Sequence, residues 1–354
     1  MKQKDKKQTK RDNNKLSNIV VEDLDYYDDI QVSATSKGKR TSEKHGVSYK
    51  NDMDLKTGQV VEIKSNYMAI VRIEEQDYVC TVGGRLKQFK FETHMLLAVG
   101  DRVEVDFIPE HGFRIEQILP RRNTLSRFSD AAFQKEIIVA ANIDILVITV
   151  SWLRPMLKPG LIDRYLCLAV LHKITPVICL NKMDLCLDLD KAQAQMKYYE
   201  SLGLHVIYAS TLTSLGMLNL KQLLTGKDTV FSGQSGTGKS SLINWLEPEL
   251  NLKVDEVSDY NDKGKHSTTQ SKLVKWSFGG NLIDTPGLKT VNLHHNQKAE
   301  IPLVFPGFSD YAPKCYYRSC QHTHEADCAV LQAVEMGEIP ASRYDSYLRI
   351  MESL

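Results

Sequence analysis

The segment Gly233-Gln234-Ser235-Gly236-Thr237-Gly238-Lys239-Ser240 narrows the possible folds more than any other feature of the chain. It fits G-x4-G-K-[ST] in full and lies between the apolar run DTVFS and the helix-forming run KSSLINWLE. A loop of this kind needs a buried strand to arrive on and a helix to leave by, which requires an α/β sheet. Its glycines let the backbone wrap so that successive N–H groups point inward at phosphate oxygens, and the helix N-terminus adds a favourable dipole. Lys239 is expected to reach the β- and γ-phosphates and the Ser240 hydroxyl to ligate Mg²⁺, with Ser241 completing the contact segment.

The surroundings agree. IDILVITVS, TPVICLNK, HVIYAS, DTVFSGQ, LVKWSF and NLIDTPG read as strands. LIDRYLCLAVLHK, 189–202, 216–224 and KSSLINWLE read as helices. This alternation predicts a mostly parallel sheet with helices on both faces. Asp284-Thr-Pro-Gly287 ends the last of these strands, where an Asp can hold Mg²⁺ through water and the glycine N–H can approach a γ-phosphate. Between the two lies DYNDKGKHSTTQ (259–270), a polar loop in which Thr268 or Thr269 can complete the Mg²⁺ shell; spacing does not choose between them.

Asn181-Lys182-Met183-Asp184 follows the apolar strand TPVICL. In this N-K-x-D pattern the Asp carboxylate accepts two N–H bonds from guanine N1 and N2, a donor pair that adenine lacks. The Asn serves the O6/N7 side, and the lysine stem packs on the ring. Ala209-Ser210, ending HVIYAS, is the expected companion loop for guanine O6. GTP-binding domains ordinarily run P-loop, switch Thr, DxxG, NKxD. This chain runs NKxD, Ala-Ser, P-loop, Thr loop, DTPG, an order that a circular permutation produces when the ordinary chain ends lie close together.

The chain has 354 residues, 45 basic and 44 acidic, and a net charge of +1. That length allows two or three domains, and no apolar run approaches the ~20 residues of a membrane-spanning helix. The near-neutral sum hides asymmetry. Residues 1–15 carry seven Lys/Arg, whereas EDLDYYDD at 22–29 carries five acids. With few apolar residues before 57, 1–56 is expected to be a disordered tail without a secretory signal. GQVVEIKS, YMAIVRIE, DYVCTVGG, DRVEVDFIP and FRIEQIL then alternate with period two, predicting a five-stranded barrel of the OB or SH3-like kind. Arg85, Lys87, Lys90, Phe89 and Phe91 would suit a nucleic-acid face. PRRNTLSRF at 120–128 reads as a basic linker, a second local surface for phosphate.

Seven cysteines divide into two groups. Cys80, Cys167, Cys179 and Cys186 lie in apolar surroundings and are expected to be buried. Cys315-x4-Cys320-x-His322-x5-Cys328 supplies three thiolates and an imidazole, a closed tetrahedral zinc set of structural type. His324 is close enough to substitute, though His322 is favoured.

Together, the five-strand barrel, NKMD, GQSGTGKSSLIN, GKHSTT, DTPG and the Cys/His knuckle resemble the RsgA (YjeQ) family of circularly permuted GTPases, from about residue 57 to the C-terminus. The resemblance implies an N-terminal OB-fold β-barrel (57–119), a circularly permuted α/β P-loop GTPase domain (120–298) and a C-terminal zinc-binding helical domain (299–354). It also implies late maturation of the 30S subunit, contact with 16S rRNA, and GTP hydrolysis stimulated by that subunit. We expect a cytoplasmic monomer with no membrane partner, one structural Zn²⁺, and Mg²⁺ accompanying GTP. Leu288 stands where many GTPases carry a water-orienting glutamine, so intrinsic turnover is expected to be slow, and the family's G-x-H-T-T-T segment points to His266 as the residue that positions water. Two competing readings are an RNA-binding assembly module whose nucleotide site only regulates, and a P-loop ATPase or kinase.

Overall fold

A computed structural model describes residues 55–87, 96–128, 136–252, 271–284 and 293–354. The expected tail lies outside the described residues up to position 54.

Period-two alternation in the first segment forms β1 (Lys56–Ser65), β2 (Met68–Ile73), β3 (Gln76–Val82), β4 (Arg102–Ile108) and β5 (Gly112–Ile118). Val60, Ala69, Val71, Cys80, Val103, Val105 and Ile115 are fully buried between them. The strands pair in the order β1-β2-β3-β5-β4, and β4 returns to β1. Closure leaves no free edge, and the order is that of an OB-type Greek-key barrel rather than an SH3-like one. Between β3 and β4 a single helical turn, α1 (Gly84–Lys87), carries Arg85 and Lys87. The Lys87 ammonium lies 4.9 Å from the centre of the Tyr67 ring. Lys90, Phe89 and Phe91 lie outside the described residues.

The 120–128 segment differs from its reading as a linker. Part of it is a strand, β6 (Thr124–Phe128), antiparallel to β7 (Glu136–Ala141). Two of its arginines are already engaged. Arg121 forms a two-pronged pair with the fully buried Asp101, at 2.6 and 2.8 Å. Arg122 donates to Asp144 at 2.9 Å. The buried Asp101 carboxylate needs a fixed cation to compensate its lost hydration, so Arg121 serves the join between barrel and sheet, whereas the Arg122–Asp144 pair stays open to solvent.

The larger sheet contains β8 (Ile145–Ser151), β9 (Thr175–Asn181), β10 (His205–Tyr208), β11 (Lys227–Ser232), β12 (Lys272–Lys275) and β13 (Gly280–Asp284). Its order is β10-β9-β8-β11-β13-β12, parallel except for β12. Every residue of β8 is buried, as a central strand covered on both faces must be. Leu146, Ile148 and Val150 face α2 (Pro159–Leu171) and α3 (Leu189–Ser201) in one core. Ile145 and Val147 face α4 (Met217–Leu224) and α5 (Lys239–Leu246) in the other. The permutation is visible at one place: α4 passes into β11 through Thr225 and Gly226 alone, and the Gly226 N–H donates to the Gly279 carbonyl at 2.9 Å.

Beyond β13, α6 (Ile301–Val304), α7 (Ala329–Glu335) and α8 (Ala341–Ser353) pack on an aromatic centre of Phe305, Phe308 and Tyr347. A buried polar clamp fixes α8 to the sheet helices. The Arg343 guanidinium donates to Asp163 of α2 at 2.9 Å and to the Tyr199 hydroxyl, which itself donates to Asp163 at 2.8 Å. Burial pushes the Asp163 carboxyl upward and Arg343 opposes it. On the other side, β12 joins barrel strand β1 at Glu62 and Lys272, so barrel and parallel sheet share one hydrogen-bonded surface. Among the described residues no helix is long and apolar enough to cross a membrane.

Candidate nucleotide site and metal centre

In open α/β sheets, ligands bind beyond the carboxyl ends of the strands. Four of the predicted motifs leave the sheet at this edge. Asn181 ends β9, Ala209 and Ser210 follow β10, Gly233 follows β11, and Asp284 ends β13. Because β11 lies between β8 and β13, the phosphate loop is central, with the base loops two and three strands to one side and Asp284 on its other neighbour.

The loop at 233–238 has the conformation its glycines permit. Gly233 runs so close to β8 that a Cβ there would lie 2.1 Å from the Thr149 carbonyl oxygen. Gly238, with φ +89°, is the N-cap of α5, and no side chain occupies the cap position. The first N–H groups of α5 therefore face the loop, as anion binding requires. Thr237 is buried, and its hydroxyl donates to the Gln234 carbonyl at 2.9 Å, pinning the loop. The Lys239 ammonium curls back over it and donates to the carbonyls of Gly233 and Gln234 at 2.7 and 2.9 Å. Ser240 and Ser241 follow in the first turn of α5.

The base motif is locked to the phosphate loop by its own asparagine. Asn181 is 1% exposed, and its amide N–H donates to the Thr237 carbonyl at 2.9 Å. A Cβ on Gly238 would lie 2.4 Å from the same amide nitrogen. The buried Asn181 carbonyl oxygen has no protein partner, which leaves an acceptor available at this edge. Lys182 takes the left-handed conformation (φ +61°), turning the chain after β9, and its ammonium donates to the Arg154 carbonyl. Burial pushes that ammonium down, with Asp184 opposing. Met183 is buried, and its N–H donates to the Ala209 carbonyl at 3.1 Å. The Ser210 hydroxyl donates to Asp184 Oδ1 at 2.6 Å, leaving the other carboxylate oxygen for a ligand. That contact was not anticipated; only the adjacency of the two loops was legible.

Asp284 is half-buried, and burial alone pushes its carboxyl upward. A carboxylate in this condition is favoured by a nearby cation, which is the role expected of a Mg²⁺ residue. His266, Thr268 and Thr269 lie outside the described residues, as do Gly287 and Leu288.

Cys315, Cys320, His322 and Cys328 bring their ligand atoms within 4.8 Å of one another. Cys315 and Cys328 sulfurs are 3.9 Å apart, and His322 Nδ1 is 3.5 and 3.4 Å from them. A tetrahedral zinc ion separates two thiolate sulfurs by about 3.8 Å and a sulfur from an imidazole nitrogen by about 3.5 Å, so the donor set fits such an ion. His322 is turned inward (φ +54°) and held by the Tyr344 hydroxyl, which donates to its carbonyl at 2.8 Å. His324 is exposed and bonds Thr323 instead, at 2.8 Å. Burial works against the Glu325 carboxylate, yet the N–H groups of Gln321, Thr323 and His324 hold its pKa at about 2. It acts as the anionic pin of the knuckle loop. Of the other cysteines, Cys80, Cys167 and Cys179 are buried. Cys186 is only half-buried because it follows the base loop in a surface turn, and its thiol contacts the Asp188 carbonyl.

A doubly covered parallel sheet with a P-loop on its central strand and a guanine-type N-K-x-D loop ahead of it in sequence defines a circularly permuted P-loop GTPase. Comparison with known proteins agrees. The RsgA GTPase family model matches residues 118–294. A small ribosomal subunit biogenesis GTPase RsgA of Actinobacillus pleuropneumoniae (serotype 5b, strain L20) is 41% identical over 241 residues, 68% of this chain and 69% of that one. Another of that name, from Geobacillus sp. (strain WCH70), is 35% identical over 300 residues, 84% and 97% of the two chains. Among solved structures, YjeQ from Thermotoga maritima is 33% identical with a TM-score of 0.70, covering 85% of this chain and 98% of its own. YloQ, described as a circularly permuted GTPase, is 28% identical with a TM-score of 0.63, covering 86% and 97%. The chain belongs to the RsgA GTPase family.

Proposed function

We propose that this GTPase acts in biogenesis of the small ribosomal subunit, in the cytoplasm and as a monomer, binding rRNA and hydrolysing GTP faster when the subunit is present. The observation that carries the nucleotide assignment is the bond from Asn181 to the Thr237 carbonyl, which joins base loop and phosphate loop into one rigid edge. The names of its relatives, small ribosomal subunit biogenesis GTPases, support the ribosomal assignment.

In this reading Asp184 accepts the guanine N1 and N2 protons while Ser210 holds its other oxygen. Asn181, Lys182, Met183 and Ala209 shape the base pocket. The N–H groups of 233–241 and the Lys239 ammonium hold the phosphates. On binding, Lys239 exchanges its two loop carbonyls for phosphate oxygens, so charge developing in the transition state meets a cation already in position. Ser240 and Asp284 hold Mg²⁺, which when bound neutralises β- and γ-phosphate charge. Thr268 or Thr269 and the Gly287 N–H attend the γ-phosphate, and His266 orients water in place of the glutamine that Leu288 replaces. Cys315, Cys320, His322 and Cys328 hold a structural zinc ion.

Asp184→Asn tests the base assignment. The amide loses the acceptor for guanine N2 but can donate to the C2 carbonyl of xanthine. GTP affinity should fall by about 100-fold, the equivalent of one lost charge-assisted bond, and xanthosine triphosphate should become the better ligand in a competition titration. Unchanged preference for GTP would remove Asp184 from the base site.

A further inference from the structure

A groove between α2 and α8 runs up to the phosphate loop and away from the metal centre. Two contiguous cavities of 420 and 930 Å³ share Pro159, Gly160, Arg164 and Arg349. The larger is floored by Leu157 and Leu161 and opens onto Gln234 and Ser235 of the phosphate loop. Among the described residues no Asp or Glu lines either cavity, whereas Lys158, Arg164 and Arg349 stand around the larger one. In a protein with 45 basic and 44 acidic residues, such local segregation of charge makes a positive potential that attracts an anionic partner.

These cations are not committed elsewhere. Among the described residues, the Arg164 side chain donates only to a neutral hydroxyl, Ser353 Oγ, at 2.5 Å. The Lys158 and Arg349 side chains make no ion pair or hydrogen bond with the described residues. Their situation contrasts with Arg121, Arg122 and Arg343, each bound to a carboxylate. The first turn of α2, with Pro159 at its start and no side-chain cap, adds its positive end to the same groove.

We propose that this groove binds a short single strand of RNA, with phosphates on Lys158, Arg164 and Arg349 and bases against the apolar floor. The proposal rests on the reading that the chain works on a ribosomal subunit, and identifies a surface for it. An acidic peptide would use the cations and leave the floor idle, whereas RNA uses both, since every base has an apolar face. A strand in the groove touches the phosphate loop at Gln234 and Ser235, so RNA docking and the nucleotide site meet at one place.

Anisotropy titration of a fluorescein-labelled octauridylate into the full zinc-loaded chain, from 50 to 200 mM salt, tests this. Arg164→Ala/Arg349→Ala should weaken binding roughly tenfold at the lower salt and reduce the log–log salt slope by about 1.4, two phosphate contacts at about 0.7 each. Arg349→Glu, which leaves the Arg164–Ser353 contact intact, should weaken it in the same direction. Zinc content and melting temperature verify that both variants are folded. Unchanged affinity and slope in both variants would overturn the proposal, as would displacement of the RNA by hexaglutamate at equal affinity. The wild-type response of GTP turnover to small subunits is read separately: its absence contradicts the ribosomal assignment, whereas an unchanged oligonucleotide titration contradicts only the groove.

Discussion

Lys239→Ala should lower kcat/KM for GTP by about 1,000-fold, the scale seen when a preorganised donor to developing transition-state charge is removed. The size follows from the position of the ammonium. It is held by two main-chain carbonyls, Gly233 at 2.7 Å and Gln234 at 2.9 Å, on a loop pinned by Thr237. Little reorganisation is needed before it meets phosphate. Alanine leaves the N–H groups of the loop in place, so some nucleotide affinity should survive while turnover collapses. Phosphate release under steady-state conditions measures the first quantity and equilibrium titration the second. Activity within tenfold of the unaltered chain would exclude Lys239 from the phosphate site.

Cys320→Ser should cost the C-terminal unit its fold. Its aromatic centre is small, and Phe308 packs edge-on against His322 at 5.5 Å, so the knuckle covers part of that centre. Binding of a structural zinc ion contributes on the order of 10–16 kcal/mol of apparent free energy in small domains, which exceeds what this unit can supply by burial alone. The variant is expected to bind no zinc and to lose hydrogen-exchange protection over 301–354. The α4–α5 face of the parallel sheet keeps a core of its own, so the variant should still bind GTP, though less stably, because the core on the α2 face is shared with the C-terminal unit. Full zinc occupancy in the variant would show that Cys320 is not a ligand.

The parts readable from sequence were those that local spacing encodes. The P-loop has fixed glycine positions because its backbone approaches β8 and Asn181 too closely for a Cβ. The metal set is visible because four ligands fall within fourteen residues. The permutation was legible from motif order, and the two-residue passage from α4 to β11 is its structural counterpart. The barrel's strands were legible from alternation, but OB and SH3-like closures share that pattern, and only pairing in space separates them.

The unread parts are long-range polar pairs. Asp163 lies in the apolar helix run LIDRYLCLAVL, and its partners Tyr199 and Arg343 are 36 and 180 residues away, so no window of sequence contains the clamp. Arg121 and Arg122 looked like a phosphate surface because their carboxylates, Asp101 and Asp144, lie twenty or more residues distant. The strand at 124–128 was obscured for the same reason: its partner strand supplies the pairing that its polar sequence does not announce. Ser210, on the loop after β10, makes a contact that sequence did not disclose, the bond that orients Asp184.

If turnover of this GTPase answers to the small ribosomal subunit, GTP hydrolysis by the full chain with and without purified small subunits will show it, with Lys239→Ala as the blank. Turnover should be slow alone, rise at least about tenfold on adding subunits, and not rise in the variant. Equal rates with and without subunits would contradict the ribosomal assignment.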